Sequence, residues 1–151
     1  MCFSFIPAFC SSRFGVPVPK KYGRKGKPIK YIVLHQLSMT MQDYSMIVQS
    51  DIKFSEKYDK DPRSLHYPVN SFGAIQSYVK DSDAAWGINQ ILEPTVNLYG
   101  ETEDSIDNIC LHVGVEFGGL TEIAKKSLSK IVCCLINKHG LTSNDVILAI
   151  N

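Results

Sequence analysis

Two uninterrupted apolar runs restrict the fold of this sequence more than any other feature. Tyr31-Ile-Val-Leu34 leads directly into His35, and Ile109-Cys-Leu-His-Val-Gly-Val-Glu-Phe117 forms the second run. Continuous runs of this kind are typical of strands that are covered on both faces. We therefore predict that both runs are central strands of one sheet, with helices packed on its two faces.

The clearest helical pattern spans residues 121–139. Thr121 is a good N-cap residue, Gly140 is a good residue just past the C-terminus, and Lys138 and His139 lie in the last turn, where the helix dipole favours cations. An apolar stripe at helical spacing predicts that this helix packs against the sheet. The stripe consists of Ala124, Leu128, Ile131, Val132, Leu135 and Ile136.

The remaining segments complete the order of elements. A hairpin is predicted from residues 66–69 and 74–79 around a turn, with Pro68 favouring an edge position or a bulge, and residues 146–150 form a last strand. The order β-α-β-β-loop-β-α-β predicts an α/β fold, with a mixed central sheet flanked by helices. The first helix is predicted after the N-cap residue Thr40, with Met41, Tyr44, Ile47 and Val48 on its apolar side.

The length of 151 residues fits one domain with a short extension. Five prolines and glycines between residues 17 and 28 exclude a long helix there, so we predict an extended N-terminal arm over 1–29 and a domain over 30–151. The arm carries a basic cluster, which is either a solvated surface segment or a contact for a polyanion such as a cell-wall polymer. The cluster consists of Lys20, Lys21, Arg24, Lys25 and Lys27.

Composition excludes several classes of partner. Sixteen Lys and Arg against fifteen Asp and Glu give a net charge of +1, so no overall basic field attracts nucleic acid or an anionic membrane. The apolar runs are shorter than the ~20 residues of a membrane span. The five cysteines are odd in number and two are adjacent, which predicts reduced thiols. No signal peptide is evident, because the apolar start lacks basic residues and is broken by Pro7.

Two side chains stand out as candidates for chemistry. His35 ends a buried strand, where α/β proteins usually place functional groups. Glu116 lies within an apolar strand, where a carboxylate needs a partner or a task. Strand alternation places His112, Gly114 and Glu116 on one face, and Gly114 would leave open space for a substrate groove. The alternative for Glu116 is an ion pair with a basic residue at the edge of the sheet.

Five blocks along the chain carry a family resemblance. They are Tyr31-Ile-Val-Leu-His35, Ser64-Leu-His-Tyr-Pro-Val-Asn-Ser-Phe-Gly-Ala-Ile75, Ala85-Trp86-Gly87, His112-Val-Gly-Val-Glu116, and the helix 121–139 with Gly140-Leu-Thr-Ser-Asn-Asp-Val146. In this order the blocks resemble the zinc N-acetylmuramoyl-L-alanine amidases of the phage-lysozyme and peptidoglycan-recognition-protein type. The likeness covers about residues 30–150.

The resemblance implies a fold, a reaction and a partner. The fold is the amidase or recognition-protein fold, and the partner is peptidoglycan. In an active enzyme of this family, His35 would be a zinc ligand, and Glu116 would activate the water that attacks the amide between muramic acid and L-alanine. Tyr67 and Trp86 are candidates for lining the substrate groove, since aromatic faces pack against sugars; the alternative for both is plain core packing.

The sequence departs from the family at the metal. The family's second zinc histidine aligns with Ala149 or Ile150, neither of which binds metal, and its third ligand lies further on. A catalytic zinc needs three protein ligands, so zinc is expected only if His66 and His112, which are not family ligands, rebuild a site with His35. Otherwise the protein carries no cofactor.

Three interpretations remain open at this stage. The protein is a degenerate amidase that binds peptidoglycan, or a truncated product of an active amidase, or a structural component, for example of a phage particle whose proteins it would contact. The absence of an evident signal peptide and the reduced cysteines favour a phage product, in the virion or the host cytoplasm, over a secreted enzyme.

Overall fold

A six-stranded sheet organises the part of the chain that the computed structural model describes, namely residues 10–11, 24–37, 39–44, 65–85 and 107–149. Its order is β1-β4-β3-β5-β2-β6. The strands are β1 (Cys10–Ser11), β2 (Tyr31–Gln36), β3 (Tyr67–Val69), β4 (Ile75–Gln76), β5 (Cys110–Val115) and β6 (Val146–Ala149).

The two predicted apolar strands lie side by side near the middle of the sheet. β2 and β5 pair in parallel along six residues, from Tyr31 opposite Cys110 to Gln36 opposite Val115. β6 is parallel to β2, and β3 is parallel to β5. The carboxyl ends of these four strands therefore meet at one edge of the sheet. β3 and β4 are antiparallel, so the sheet is mixed and the predicted α/β class is confirmed.

Helix α1 (Glu122–His139) covers one face of the sheet, as predicted. The side chain of Thr121 accepts a hydrogen bond from the Ala124 amide at 3.1 Å, and Gly140 ends the helix in the left-handed region at φ 65°. The predicted apolar stripe packs on Ile32, Leu111 and Val113 of the central strands. Since alternate strand residues share a face, this contact directs Val33, His35 and His112 to the opposite face.

The opposite face carries a second apolar cluster. Residues 41–44 are helical, and Thr40 caps them by accepting from the Asp43 amide at 3.3 Å. Met41 and Tyr44 are buried with Leu37 and Leu65. The start of the helix predicted after Thr40 is therefore confirmed, while Ile47 and Val48 lie outside the described residues. No helix among the described segments is long and apolar enough to cross a bilayer.

The hairpin forms as predicted, but its position in the sheet differs from the expectation for Pro68. The Asn70 side chain closes the turn by accepting from the amides of Phe72 and Ala74. β3 lies between β4 and β5, so Pro68 occupies an interior strand and not an edge. The pairing between β3 and β5 is only three residues long. Because Pro68 has no backbone N–H, it removes one hydrogen-bond donor from β3.

We expect Thr121→Ala to lower the free energy of unfolding by about 1–2 kcal/mol, the usual loss for an N-cap. Thr121 also donates to the Ser71 carbonyl at 2.6 Å, so the substitution breaks a link between the helix and the hairpin turn. Urea denaturation measures the change. Thr121→Ser keeps the hydroxyl and should retain most of the stability. Equal losses in both variants would contradict the role of the hydroxyl.

Candidate functional site

Three of the four histidines lie together on the sheet face opposite helix α1. His35 is the penultimate residue of β2, His112 is in β5, and His66 immediately precedes β3. All three are buried, with His35 4% exposed and the other two fully enclosed. The rings of His66 and His112 stack with centroids 6.1 Å apart, and those of His35 and His112 are 4.9 Å apart. The fold therefore brings together three imidazoles that are far apart in the sequence.

A hydrogen-bonded series runs through two of these rings to a carboxylate. His35 Nε2 lies 2.7 Å from His112 Nδ1, and His112 Nε2 lies 2.7 Å from Asp107 Oδ1. A carboxylate only accepts hydrogen bonds, so His112 Nε2 carries a proton and donates to Asp107. In the neutral ring, Nδ1 of His112 is then the acceptor, and Nε2 of His35 is the donor. We call Asp107, His112 and His35 the imidazole relay.

The third ring, His66, is fixed by the backbone. Its Nδ1 accepts from the His112 amide at 3.0 Å, so its proton lies on Nε2, which donates to the Asp83 carbonyl at 2.8 Å. Arg24 Nη2 lies 3.2 Å from the same Nε2. Both of these nitrogens carry protons, so this contact is a close approach and not a hydrogen bond. Burial first, then the positive charge of Arg24 and the contact with His112, lower the pKa of His66 to about 3.

Arg24 binds the backbone at the amino end of β5. It donates through Nη1 to the carbonyls of Asn108 and Cys110, both at 3.0 Å, and through Nε to the Asp81 carbonyl at 2.7 Å. Burial lowers the pKa of the guanidinium, and nearby acidic groups such as Asp81 oppose that shift. Arg24 is 7% exposed, so the expectation that it belongs to a solvated basic segment is wrong.

The residues present do not fit a zinc ion of the expected kind. Two nitrogens bound to one tetrahedral zinc lie about 3.3 Å apart, whereas His35 Nε2 and His112 Nδ1 lie 2.7 Å apart and share a proton. Ala149 of β6 pairs directly with His35 of β2, so the residue beside His35 in the sheet carries only a methyl group. Burial raises the pKa of the Cys110 thiol, which disfavours the thiolate that metals bind.

The sequence left open a metal site made of His35, His66 and His112. In the structure, neither His66 nor His112 completes such a site with His35. Both ring nitrogens of each are engaged with protein groups: His66 with the backbone of His112 and Asp83, and His112 with His35 and Asp107. Among the described residues, no group of three potential ligands is close enough to hold a metal. Burial, followed by the contact with His112, also holds the pKa of His35 well below its ordinary value.

Glu116 has the partner that its position in an apolar strand requires, but the partner is backbone and not a basic side chain. Its two carboxylate oxygens accept from the amides of Met41, at 2.9 Å, and Ser71, at 2.6 Å. These hydrogen bonds lower the pKa of Glu116 although partial burial opposes them. Glu116 therefore joins the segments that follow β2 and β3 at the carboxyl edge of the sheet. Its role as a catalytic base remains a prediction.

Gly114 does not open a groove as expected. A Cβ atom at this position would lie 2.5 Å from Leu65 Cδ1 and 3.7 Å from atoms of Leu37. The glycine instead allows the second apolar cluster to pack closely on β5, directly beside His35 in the sheet register. His112 and Gly114 share one face of β5, so the predicted alternation of faces is confirmed. The prediction of open space beside Gly114 is wrong, because Leu65 and Leu37 fill it.

The two aromatic candidates for the groove have different outcomes. Tyr67 is 4% exposed and packs in the core beneath helix α1, where its hydroxyl donates to the Asp81 carboxylate. Its ring is therefore a core group, which is the second of the two alternatives that the sequence left open for Tyr67. Trp86 lies outside the described residues. The sequence carries no signal for two exposed aromatic residues, Phe72, which follows Ser71 in the hairpin turn, and Phe117, which follows Glu116.

Arg24 and Asp107 were also missed as members of the buried cluster. Asp107 is 2% exposed and precedes the apolar run that begins at Ile109. The polar pair Asp107 and Asn108, directly before a central strand, is the sequence signal that could have indicated a buried polar group here. Arg24 gave no separate signal, because it sits among lysines in a basic cluster.

Comparison with known proteins gives one family and a consistent fold. Residues 25–149 match the family model described as N-acetylmuramoyl-L-alanine amidase. No curated protein sequence matches the chain. The endolysin N-acetylmuramoyl-L-alanine amidase LysCS from Clostridium intestinale is similar at a TM-score of 0.59 and 15% identity, over 93% of this chain and 79% of that one.

Two further solved structures share the fold. A selenomethionine derivative of AmpD has a TM-score of 0.66 at 14% identity, over 94% of this chain and 82% of its own. Human PGRP-IBETAC, in complex with glycosamyl muramyl pentapeptide, has a TM-score of 0.52 at 17% identity, over 82% of this chain and 72% of its own. At these identities the likeness establishes the fold.

We expect Glu116→Gln to lower the free energy of unfolding by about 1 kcal/mol at neutral pH, because an amide nitrogen cannot accept the second backbone hydrogen bond. The pKa of Glu116 is lower in the folded state than in the unfolded chain. Its contribution is therefore present at neutral pH and is lost as the pH falls from the unfolded pKa through the folded one.

Urea denaturation of wild type and Glu116→Gln at pH 7 and in acid tests this expectation. The difference between their free energies of unfolding should be smaller in acid than at pH 7. Glu122→Gln is the matched control, since the Glu122 side chain is 85% exposed and pairs with the exposed Lys125, at 3.4 Å on the same helix turn. A difference that stays constant over the pH range would contradict the assignment.

Arg24→Met should destabilise the fold by about 3 kcal/mol, because it leaves three carbonyl acceptors without their charged donor. Lys25→Met is the control, since Lys25 is the exposed neighbour of Arg24. Thermal unfolding compares the two. Similar melting temperatures for wild type and Arg24→Met would show that Arg24 is dispensable.

Proposed function

Because the chain belongs to the N-acetylmuramoyl-L-alanine amidase family, we propose that it binds peptidoglycan and does not cleave it by the family's zinc route. The observation that carries this proposal is the state of His35. Its Nε2 is committed to His112, and its neighbour across β6 is Ala149. The family fold is retained while the groups around the expected metal position serve other partners.

Peptidoglycan is the substrate class that the family and the fold support. The matching family is described by its action on N-acetylmuramoyl-L-alanine, and one protein of similar fold was solved with a glycosamyl muramyl pentapeptide. Hydrolysis would further require an activated water. Glu116 is a poor general base here, because both of its oxygens already accept backbone hydrogen bonds and its pKa is lowered.

The binding surface that we propose lies at the carboxyl edge of the sheet, where ligands of α/β proteins usually bind. Phe72 in the hairpin turn is 83% exposed, and Phe117 just after β5 is 66% exposed. Glu116 connects these two segments through the Ser71 amide, so the two rings are held on one framework. Exposed aromatic rings supply the apolar faces on which sugars and the stem peptide pack.

Co-sedimentation with insoluble peptidoglycan tests binding. We expect wild type to pellet with the polymer, and the double variant Phe72→Ala/Phe117→Ala to bind about tenfold more weakly, which corresponds to about 1.4 kcal/mol. Leu148→Ala is the matched control, since Leu148 is 67% exposed but lies on edge strand β6. No sedimentation of wild type would reject the proposal and leave a structural or assembly role.

Mass spectrometry of muramyl peptides incubated with the same samples tests the second half of the proposal. We expect no release of the stem peptide, whether zinc or EDTA is added. Zinc-dependent release that disappears in His35→Ala would show that the protein is an active amidase.

A further inference from the structure

We infer that the imidazole relay occupies the place of the metal, so that shared protons between Asp107, His112 and His35 hold His35 in position where a zinc ion would otherwise do so. The inference concerns the buried groups alone. It does not require that the protein binds peptidoglycan, so it can fail or succeed separately from the proposed function.

The first step is the direction of the protons. Asp107 Oδ1 accepts from His112 Nε2 at 2.7 Å, which leaves His112 Nδ1 to accept from His35 Nε2 at 2.7 Å. In neutral rings this fixes the tautomer of both histidines, because reversing one hydrogen bond would set two donors or two acceptors against each other. The carboxylate at one end therefore determines which nitrogen of His35 carries its proton.

The second step is the enclosure of the relay. His35 is 4% exposed, Asp107 2%, and His112 is fully buried. From the side of β3, His66 presents only protonated Nε2, since its Nδ1 accepts the His112 amide. From the side of β6, Ala149 presents a methyl group. Neither His66 nor the Ala149 side chain therefore offers the relay an unprotonated nitrogen for a metal, and burial raises the pKa of the Cys110 thiol on the same face of β5.

The third step is the consequence for metal binding. Zinc binds a neutral imidazole through an unprotonated nitrogen, and a catalytic zinc needs three protein ligands of the imidazole, carboxylate or thiolate type. To offer His35 Nε2 and His112 Nδ1 to one ion, the protein would have to break the hydrogen bond between the two rings and move the His35 proton from Nε2 to Nδ1, while the hydrogen bond from His112 Nε2 to Asp107 could persist. The hydrogen bond between His35 and His112 and a zinc ion on the same two nitrogens therefore exclude each other. Within the described ranges, no third ligand lies close enough to complete such a site.

Long-range ¹H–¹⁵N NMR of the imidazole rings tests the inference directly, because it distinguishes the two tautomers. We expect His35, His66 and His112 all to carry the proton on Nε2, and His139, which is outside the cluster, to serve as an internal reference. One equivalent of zinc should leave the ring ¹⁵N shifts of His35 and His112 unchanged. A proton on Nδ1 of His35, or stoichiometric zinc shifts at either ring, would overturn the inference.

Asp107→Asn provides the matched perturbation, with Asp43→Asn on the exposed start of the first helix as its control. An asparagine has no charge and can turn either its carbonyl or its amide group to His112 Nε2, so the tautomer of His112 is no longer fixed by an acceptor-only group. We expect the ring ¹⁵N shifts of His112 and His35 to move toward a mixture of the two tautomers in Asp107→Asn and to stay as in wild type in Asp43→Asn. Ring shifts in a folded Asp107→Asn protein that equal those of wild type would show that the charge of Asp107 does not direct the relay.

Metal analysis of protein purified from zinc-supplemented medium gives a second readout that does not depend on how Asp107→Asn folds. We expect substoichiometric zinc in wild type and no difference from His35→Ala. One zinc per chain that is lost in His35→Ala would reject the inference, even if peptidoglycan binding is found.

Discussion

The burial of charged and polar groups on one face of the sheet is the constraint on which the rest of this structure depends. Arg24 and Asp107 are both enclosed at the amino end of β5, where they carry opposite charges. A buried ion is unfavourable unless it is paired and hydrogen-bonded. Arg24 meets this requirement with backbone carbonyls, and Asp107 with the ring of His112. The proton positions of His112 and His35 follow from how the charge of Asp107 is satisfied, while His66 is held by backbone groups.

The sequence predicts those parts of the fold that local patterns determine. Continuous apolar runs identified β2 and β5, and the N-cap Thr121, the stripe and Gly140 identified helix α1. The site is only partly predictable in this way, because its contacts join distant segments. Arg24 bonds to the Cys110 carbonyl across 86 residues, and His35 bonds to His112 across 77. Alternation placed His112 and Gly114 on one face, but it could not show that Leu37 and Leu65 fill the space beside Gly114.

Glu116 has the hydrogen-bond partners that its sequence position predicts, but these partners are backbone amides and not a basic side chain. Its place in an apolar strand requires that this carboxylate have a partner or a task. The structure supplies partners from Met41 and Ser71, which follow different strands. Such an arrangement fixes the rim of the carboxyl edge, and it places the exposed rings of Phe72 and Phe117 on a common support. A carboxylate used in this way holds the two segments in place relative to each other.

The pairing of His35 with Ala149 gives the relay a physical reason to exist. An imidazole buried beside a methyl group, with no metal ligand opposite, would leave a donor unsatisfied at a cost of about 1–3 kcal/mol. His112 removes that cost by accepting the proton of His35, but it can do so only if its own second nitrogen has an acceptor. Asp107 is that acceptor, and its charge is in turn offset at the same end of β5 by Arg24. His35 can therefore be buried beside Ala149 without an unsatisfied donor when the whole series from His35 to Asp107 is present.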